Sequence, residues 1–379
     1  MPIIPNQLFT PVHLGPFHLK HRVVMAALTR ASSKQPGDVP CDLMLEYYSQ
    51  RASDGGLIIS EATTISPAAR GWYGVPGIFT EAQVNGWMRI VDAVHDKGGY
   101  MISQLWHTGR SSNINNSGIE PVSASVNPDY WSNPSHLVTA PSGWVQPSPH
   151  RALDISEIPG IIEEYRLAAV RAKAAGFDAI ELHAGNGYLL DQFLQDGSNH
   201  RTDAYGGSIE NRARLLLEVI EAVSSVWGPN QVAVRLAPGG TWNGMSDSNP
   251  RALFGYVAAQ LNRYHLAYLH IIQPRVEGNI VAGKGEGRPV AAQFLRQIFD
   301  GPIITAGGFE PDVAEAIVAS GNADAVAFGR HFLSSPDLPK RIELSEPLTP
   351  CDRDNFYTFD ARGYTDYPVY EAAEAAAAD

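Results

Sequence analysis

Short apolar runs recur along the chain at 23–26, 56–59, 100–103, 179–182, 232–236, 268–272, 302–305 and 325–328. They are rich in Val, Ile, Leu and Ala and show little alternation with polar residues, the pattern of strands in a parallel sheet covered on both faces. Between them the apolar spacing changes to a helical one. Ile158, Ile162, Tyr165, Ala169 and Ala172 lie four or three positions apart, and Gly176 marks a stop. Ile209, Ala213, Leu216, Ile220, Val223 and Trp227 repeat the pattern, with Ser208 as N-cap and Gly228 as stop. Pro311 suits the first turn of a third helix that Gly321 closes. Strands alternating with helices form βα units with right-handed crossovers, and eight such units close into a single (β/α)8 TIM barrel.

Two stretches leave this rhythm. In residues 111–149, 20 of 39 positions are Ser, Pro or Asn, too long a turn-rich segment for an ordinary βα connection. It is expected to be a capping loop over the barrel mouth, following the third strand. Residues 371–379 are an Ala- and Glu-rich low-complexity tail without chemistry. The expectation is one unit over 1–370, cap included, followed by the tail.

Composition narrows the classes. The chain of 379 residues fits either one large barrel or two ordinary domains, and the eight runs favour the first. A net charge of −12 argues against nucleic-acid or anionic-membrane partners, so an anionic cofactor would need a local cluster of arginine and amide groups. Cys41 and Cys351 are the only cysteines and form no CxxC, zinc or iron–sulfur pattern, in keeping with a reducing compartment. No signal-peptide pattern opens the chain and no apolar run of about 18 residues occurs, so a cytoplasmic protein is expected.

Chemistry in such barrels sits at the C-terminal ends of the strands. Ala27-Leu28-Thr29-Arg30 follows the first run, Ser60-Glu61-Ala62 the second and Gln104-Leu105-Trp106 the third. The seventh and eighth runs lead into Gly307-Gly308 and Gly329-Arg330. These are the ends where the fold most often binds phosphate, with glycine amides approaching an anion and Arg330 adding a fork of donors. The competing reading is a tight turn and a surface ion pair. Arg235 interrupts an apolar run, so it needs either a buried carboxylate, for which Glu61 and Glu181 are available, or an electron-rich ring. Gln104 and Thr29 extend that polar set. After the fourth run come His183, Asn186 and Tyr188, separated by Gly185 and Gly187. His183 and Asn186 would share a face if the turn were helical, and both donate hydrogen bonds. A metal is not expected, because the turn supplies no third ligand.

Read together, these motifs resemble the Old Yellow Enzyme family of FMN-dependent ene-reductases. The resemblance rests on Asn6-Gln7-Leu8-Phe9 with Leu14-Gly15, Leu28-Thr29-Arg30, EYYSQRA at 46–52, Gln104-Leu105-Trp106, HAGNGYLLDQFL at 183–194, NHRTDAYGGSIENR at 199–212, Phe328-Gly329-Arg330 and GYTDYP at 363–368. It implies an N-terminal strand pair before the barrel and a tightly but non-covalently bound FMN. Thr29, the backbone of Ala62, Gln104 and Arg235 would meet the flavin ring, and Gly307, Gly308, Gly329 and Arg330 its phosphate. His183 and Asn186 would grip the substrate oxygen, with Tyr188 as proton donor. Trp106 and Tyr357 would line the substrate pocket, with either Trp72 or Tyr73 as a further wall. The 199–212 run would be structural.

The implied reaction uses NADPH or NADH to reduce the flavin, which then passes hydride to electrophilic alkenes: α,β-unsaturated carbonyl or nitro compounds, or alternatively nitrate esters. A monomer or homodimer is expected. Two rival readings of the residues stay open: a flavin-free phosphate-binding lyase or isomerase, for which Lys284 is the nearest loop lysine, and a non-catalytic flavin-binding barrel.

Overall fold

The computed structural model describes residues 7–274 and 291–370, with the backbone of Val276–Glu277 and Ile280–Val281. Lys284 and the 371–379 tail lie outside the described residues. All eight predicted strands are present: β1 (Val23–Met25), β2 (Leu57–Ile59), β3 (Tyr100–Trp106), β4 (Ala179–Ala184), β5 (Val232–Leu236), β6 (Tyr268–Ile272), β7 (Ile303–Ala306) and β8 (Ala325–Phe328). Each pairs in parallel with the next, and β8 returns to β1 with Val326 opposite Val23, so the sheet closes on itself. Eight helices alternate with these strands: α1 (Asp42–Arg51), α2 (Glu81–His95), α3 (Ile158–Ala174), α4 (Ile209–Trp227), α5 (Pro250–Leu261), α6 (Ala292–Leu295), α7 (Pro311–Ala319) and α8 (Leu338–Leu344).

The local signals behave as their chemistry requires. The Ser208 hydroxyl accepts the Asn211 N–H at 3.3 Å and caps α4. Gly176 stands just past α3 with φ +85°. On α3 the buried stripe takes in Ile161 and Ala168, while Ile162 is only partly buried, because the face packed on the barrel is wider than a single four-three row. β3 and β4 run past their predicted ends, to Trp106 and Ala184. Gln104 and His183 therefore lie within strands, since polar residues facing a barrel interior do not interrupt pairing.

Strand alternation divides the core in two. Outward-facing Val23, Ile58, Met101, Leu182, Val234 and Leu269 pack under the helices. Inward-facing Val24, Leu57, Ile102, Ala179, Ala233, Ile304 and Ala325 fill the barrel, and against them pack Val12, Leu14, Phe17 and Leu19 of an antiparallel hairpin, Val12–Leu14 with Phe17–Leu19. The predicted N-terminal strand pair is thus a plug for the bottom of the barrel. Its turn holds Gly15 at φ +55°, where a Cβ would stand 2.5 Å from the Asn230 carbonyl oxygen.

Residues 111–149 carry two short helices, Ile114–Ser117 and Pro128–Ser132, and a hairpin of Val138–Ala140 with Gly143–Val145. Elements this short leave no periodicity to read. Val138 packs with Ala62, Trp72, Trp106 and Tyr188. The 199–212 run braces the loop after β4: Asn199 Nδ2 donates to the carbonyls of Phe193 (2.6 Å) and Tyr205 (2.8 Å).

Because Gly15 is both strained for an L side chain and close-packed, Gly15→Val is expected to cost about 2–4 kcal/mol of stability. Urea unfolding checks this, and an unchanged midpoint would mean the hairpin does not seal the barrel.

Candidate active site

Above the apolar bottom the barrel interior becomes asymmetric. On the β3–β6 side the upper inward positions are Gln104, Glu181, His183, Arg235 and His270, all buried. On the β7–β8–β1 side they are Ala306, Ala327 and Ala26. Large polar side chains facing small ones leave a flat space, and a cavity of about 860 Å³ opens there. Its lining includes Ala26, Ala306 and Ala327 together with Thr29, Ala62, Gln104 and Arg235. The same cavity takes in Gly307, Gly308, Gly329 and Arg330 at one end and Trp72, Trp106, His183, Asn186, Tyr188 and Tyr357 at another. With Ile272 of β6 also in the lining, residues from all eight strand ends so converge on one space.

Tyr73 is the exception among the expected residues. It does not line this cavity; its ring lies 6.1 Å from Phe359. The cause is local. Tyr73 N–H donates to the Thr139 carbonyl and the Thr139 hydroxyl donates back to the Tyr73 carbonyl, both at 3.1 Å, tying this stretch to the cap hairpin. Trp72, its neighbour, faces the mouth, edge-on to Trp106 (6.3 Å) and Trp144 (5.5 Å). Trp72 lines the cavity and Tyr73 does not.

The turn from His183 to Asn186 is not helical. Asn186 has φ +58° and Gly187 φ +75°, so two successive left-handed residues turn the chain sharply after β4. Asn243, itself at φ +59°, donates from Nδ2 to the Asn186 carbonyl at 2.9 Å. Arg110 donates from Nη2 to the Asn243 carbonyl at 3.1 Å and lies 4.3 Å from the Tyr130 ring. The Asp191 carboxylate accepts the Gly187 N–H at 2.8 Å. These contacts pin the turn that presents Asn186 and Tyr188. Sequence reasoning passed over Asn243 because Trp242-Asn243-Gly244 reads as an ordinary turn.

Glu61 holds the other side. Its Oε2 accepts the N–H groups of Arg30 and Ala31 at 3.2 Å, fixing the loop that carries Thr29. The Arg30 guanidinium donates to the carbonyls of Phe356 (2.8 Å), Asn355 (3.0 Å) and Gly363 (2.7 Å), which brings Tyr357 to the mouth.

Below the cavity, Glu181 is fully buried. Its Oε1 accepts from Gln104 Nε2 at 2.6 Å, and its Oε2 from Tyr268 OH (3.0 Å) and His270 Nδ1 (2.9 Å). Burial alone would raise its pKa, but His270, Arg235 and Gln104 bring it down to about 2. Burial and the Arg235 cation hold His183 well below the usual histidine range, so it is neutral at pH 7. Burial pushes the Tyr188 phenol far up, so it keeps its proton. The Tyr188 ring stands edge-on to Trp106 (4.7 Å) and to His183 (5.0 Å).

The residues fit a flavin mononucleotide. Arg235 Nε and His183 Nδ1 are buried and find no hydrogen-bond partner among the described residues. A buried carboxylate only accepts, so Gln104 gives it an N–H and retains Oε1 and a second N–H for the cavity. Gly307 and Gly308 have φ of +124° and +63°, a region that glycine adopts without strain.

The chain matches the model of the NADH:flavin oxidoreductase / NADH oxidase family over residues 7–348. It belongs to that family. It is 44% identical over 373 residues to 12-oxophytodienoate reductase 2 of Arabidopsis thaliana, covering 96% of each chain. Among solved structures, morphinone reductase in complex with tetrahydroNAD is similar at 46% identity and a TM-score of 0.88, covering 96% of this chain and 98% of that one. An old yellow enzyme homologue from Zymomonas mobilis has 41% identity and a TM-score of 0.89, with 96% and 100% covered. The chain is therefore an Old Yellow Enzyme family member: an FMN-dependent NAD(P)H oxidoreductase of the ene-reductase class.

With His183 held neutral, affinity for an uncharged enone such as 2-cyclohexenone is expected to vary less than about twofold between pH 5.5 and 8. Competition binding measured across that range checks it, and an inflection near pH 6.5 would contradict a neutral imidazole.

Proposed function

We propose that Thr29, the Ala62 backbone, Gln104 and Arg235 hold the flavin ring. Gly307, Gly308, Gly329 and Arg330 then hold the phosphate, and His183, Asn186 and Tyr188 act on the substrate. The observation that carries this reading is that all these residues line one cavity while their strands span more than three hundred residues of chain. FMN, when bound, supplies the redox chemistry, accepting hydride from NAD(P)H and delivering it to the alkene.

The protein's own part is positioning and polarisation. His183, neutral, offers an N–H to the carbonyl or nitro oxygen of the substrate, and Asn186 offers its amide N–H₂ to the same atom. Two fixed donors stabilise the negative charge that develops on that oxygen, an arrangement worth roughly 3–4 kcal/mol in comparable sites. Tyr188 keeps its proton until the α-carbon needs it and then acts as general acid. Trp72, Trp106 and Tyr357 exclude water and favour flat apolar substrates. Nitro-olefins and nitrate esters fall within reach of the same donors. The 111–149 segment acts as the cap, through Val138 against Trp72 and Trp106 and Trp144 against Tyr357, within a single unit spanning residues 1–370. No lysine lines the cavity among the described residues, so none of these offers the covalent handle of an aldolase-type lyase. The unpaired thiols of Cys41 and Cys351 suit a reducing compartment such as the cytoplasm.

Tyr188→Phe separates the roles. Stopped-flow traces are expected to show flavin reduction by NADPH near the wild-type rate and enone-dependent reoxidation slowed about 10²–10³-fold. Equal slowing of both halves would remove Tyr188 from the proton-donor role.

A further inference from the structure

The buried carboxylate beneath the cavity is used by none of the steps above, yet every group around it converges on it. Glu181 sits on β4 at full burial, beside β3, which carries Gln104, and one strand from β5, which carries Arg235. Its two oxygens take three hydrogen bonds, from Gln104, Tyr268 and His270, at 2.6–3.0 Å. His270 lies opposite Arg235 in the β5–β6 ladder. A buried charge with this many donors is ordinarily costly to keep, and well-packed apolar residues would serve stability as well.

We propose that Glu181 is a positioning residue for the flavin: it fixes which way the Gln104 amide faces the cavity and partly neutralises Arg235, thereby setting the ratio of affinities for oxidised and reduced FMN. The inference rests on the flavin reading above.

Two physical arguments support it. An ionised carboxylate can only accept, so it selects the Gln104 rotamer in which N–H₂ points down and the carbonyl oxygen is left for a ring N–H. Reduced flavin carries an added negative charge, which Arg235 attracts and Glu181, close below, repels. Burial holds His183 well below the usual histidine range and lowers His270 against the pull of Glu181. The two charges that the variants alter are the Arg235 cation and the Glu181 anion. Removing the anion leaves Arg235 to favour the reduced cofactor without opposition.

The test compares FMN dissociation constants in both redox states and the midpoint potential, by fluorescence titration and dye equilibration, for wild type, Glu181→Gln and Glu181→Asp. Glu181→Gln is expected to raise the ratio of oxidised to reduced dissociation constants about tenfold, a shift of about +30 mV for a two-electron couple. Glu181→Asp keeps the charge and is expected to hold the ratio within about threefold of wild type, while oxidised FMN binds more weakly because Gln104 is less well held. A wild-type ratio in Glu181→Gln, or an equal shift in Glu181→Asp, overturns the proposal while leaving the flavin site intact. Wild-type protein that takes up no FMN overturns both. Should Glu181→Gln fail to fold with Arg235 left unpaired, Arg235→Met is compared with Arg235→Met/Glu181→Gln, which removes the two charges together. The double variant is expected to show the higher ratio, and equal ratios overturn the proposal.

Discussion

A guanidinium and a carboxylate placed inside a protein barrel impose the strictest condition on this structure. Neither Arg235 nor Glu181 tolerates burial without partners, and the barrel supplies them in graded fashion. Glu181 receives three hydrogen bonds from β3 and β6, whereas Arg235 keeps a buried Nε with no hydrogen-bond partner among the described residues. The carboxylate is complete and the guanidinium is not. That imbalance is what makes the cavity a receptor for an electron-rich, negatively polarised ring rather than a packed core, and it agrees with the flavin chemistry of the family.

The rest of the architecture holds that condition in place. The hairpin at the bottom excludes water from below, through Leu14, Phe17 and Leu19 against the inward apolar residues. Alanines at 26, 306 and 327 leave width on one side, so the polar side of the barrel has something to face. At the mouth, chain segments remote in sequence are tied by backbone-directed bonds: Arg30 to 355–363, Asn116 to Gly71 and Thr139, and Asn243 to Asn186. A rigid lower barrel with a fastened upper rim is the arrangement expected where small displacements of donors cost rate.

Much of this was legible in the sequence because its causes are local. Four- and five-residue apolar runs cannot avoid being strands when each is buried on both faces. The fold's rule about strand ends then points to Thr29, Gln104, Arg235, Gly307 and Arg330 without further information. Other features were illegible because their causes are non-local. Whether Trp72 or Tyr73 faces the pocket depends on pairing with Thr139, nearly seventy residues away. The turn at Asn186 is left-handed because Asn243 and Asp191 hold it so, although His183 and Asn186 suit a helical spacing. Glu181 was visible as a possible partner for Arg235, but its bonds to Gln104 on β3 and to Tyr268 and His270 on β6, across β5, emerge only when the barrel brings those strands round.

The position of the flavin ring decides whether these side chains act together. A crystal structure of the protein with FMN bound is the decisive measurement. The predicted result is a flavin whose pyrimidine edge lies within hydrogen-bond reach of Gln104 and Arg235, with its phosphate at Gly307, Gly308 and Arg330. A flavin turned end for end, or bound outside this cavity, would contradict it.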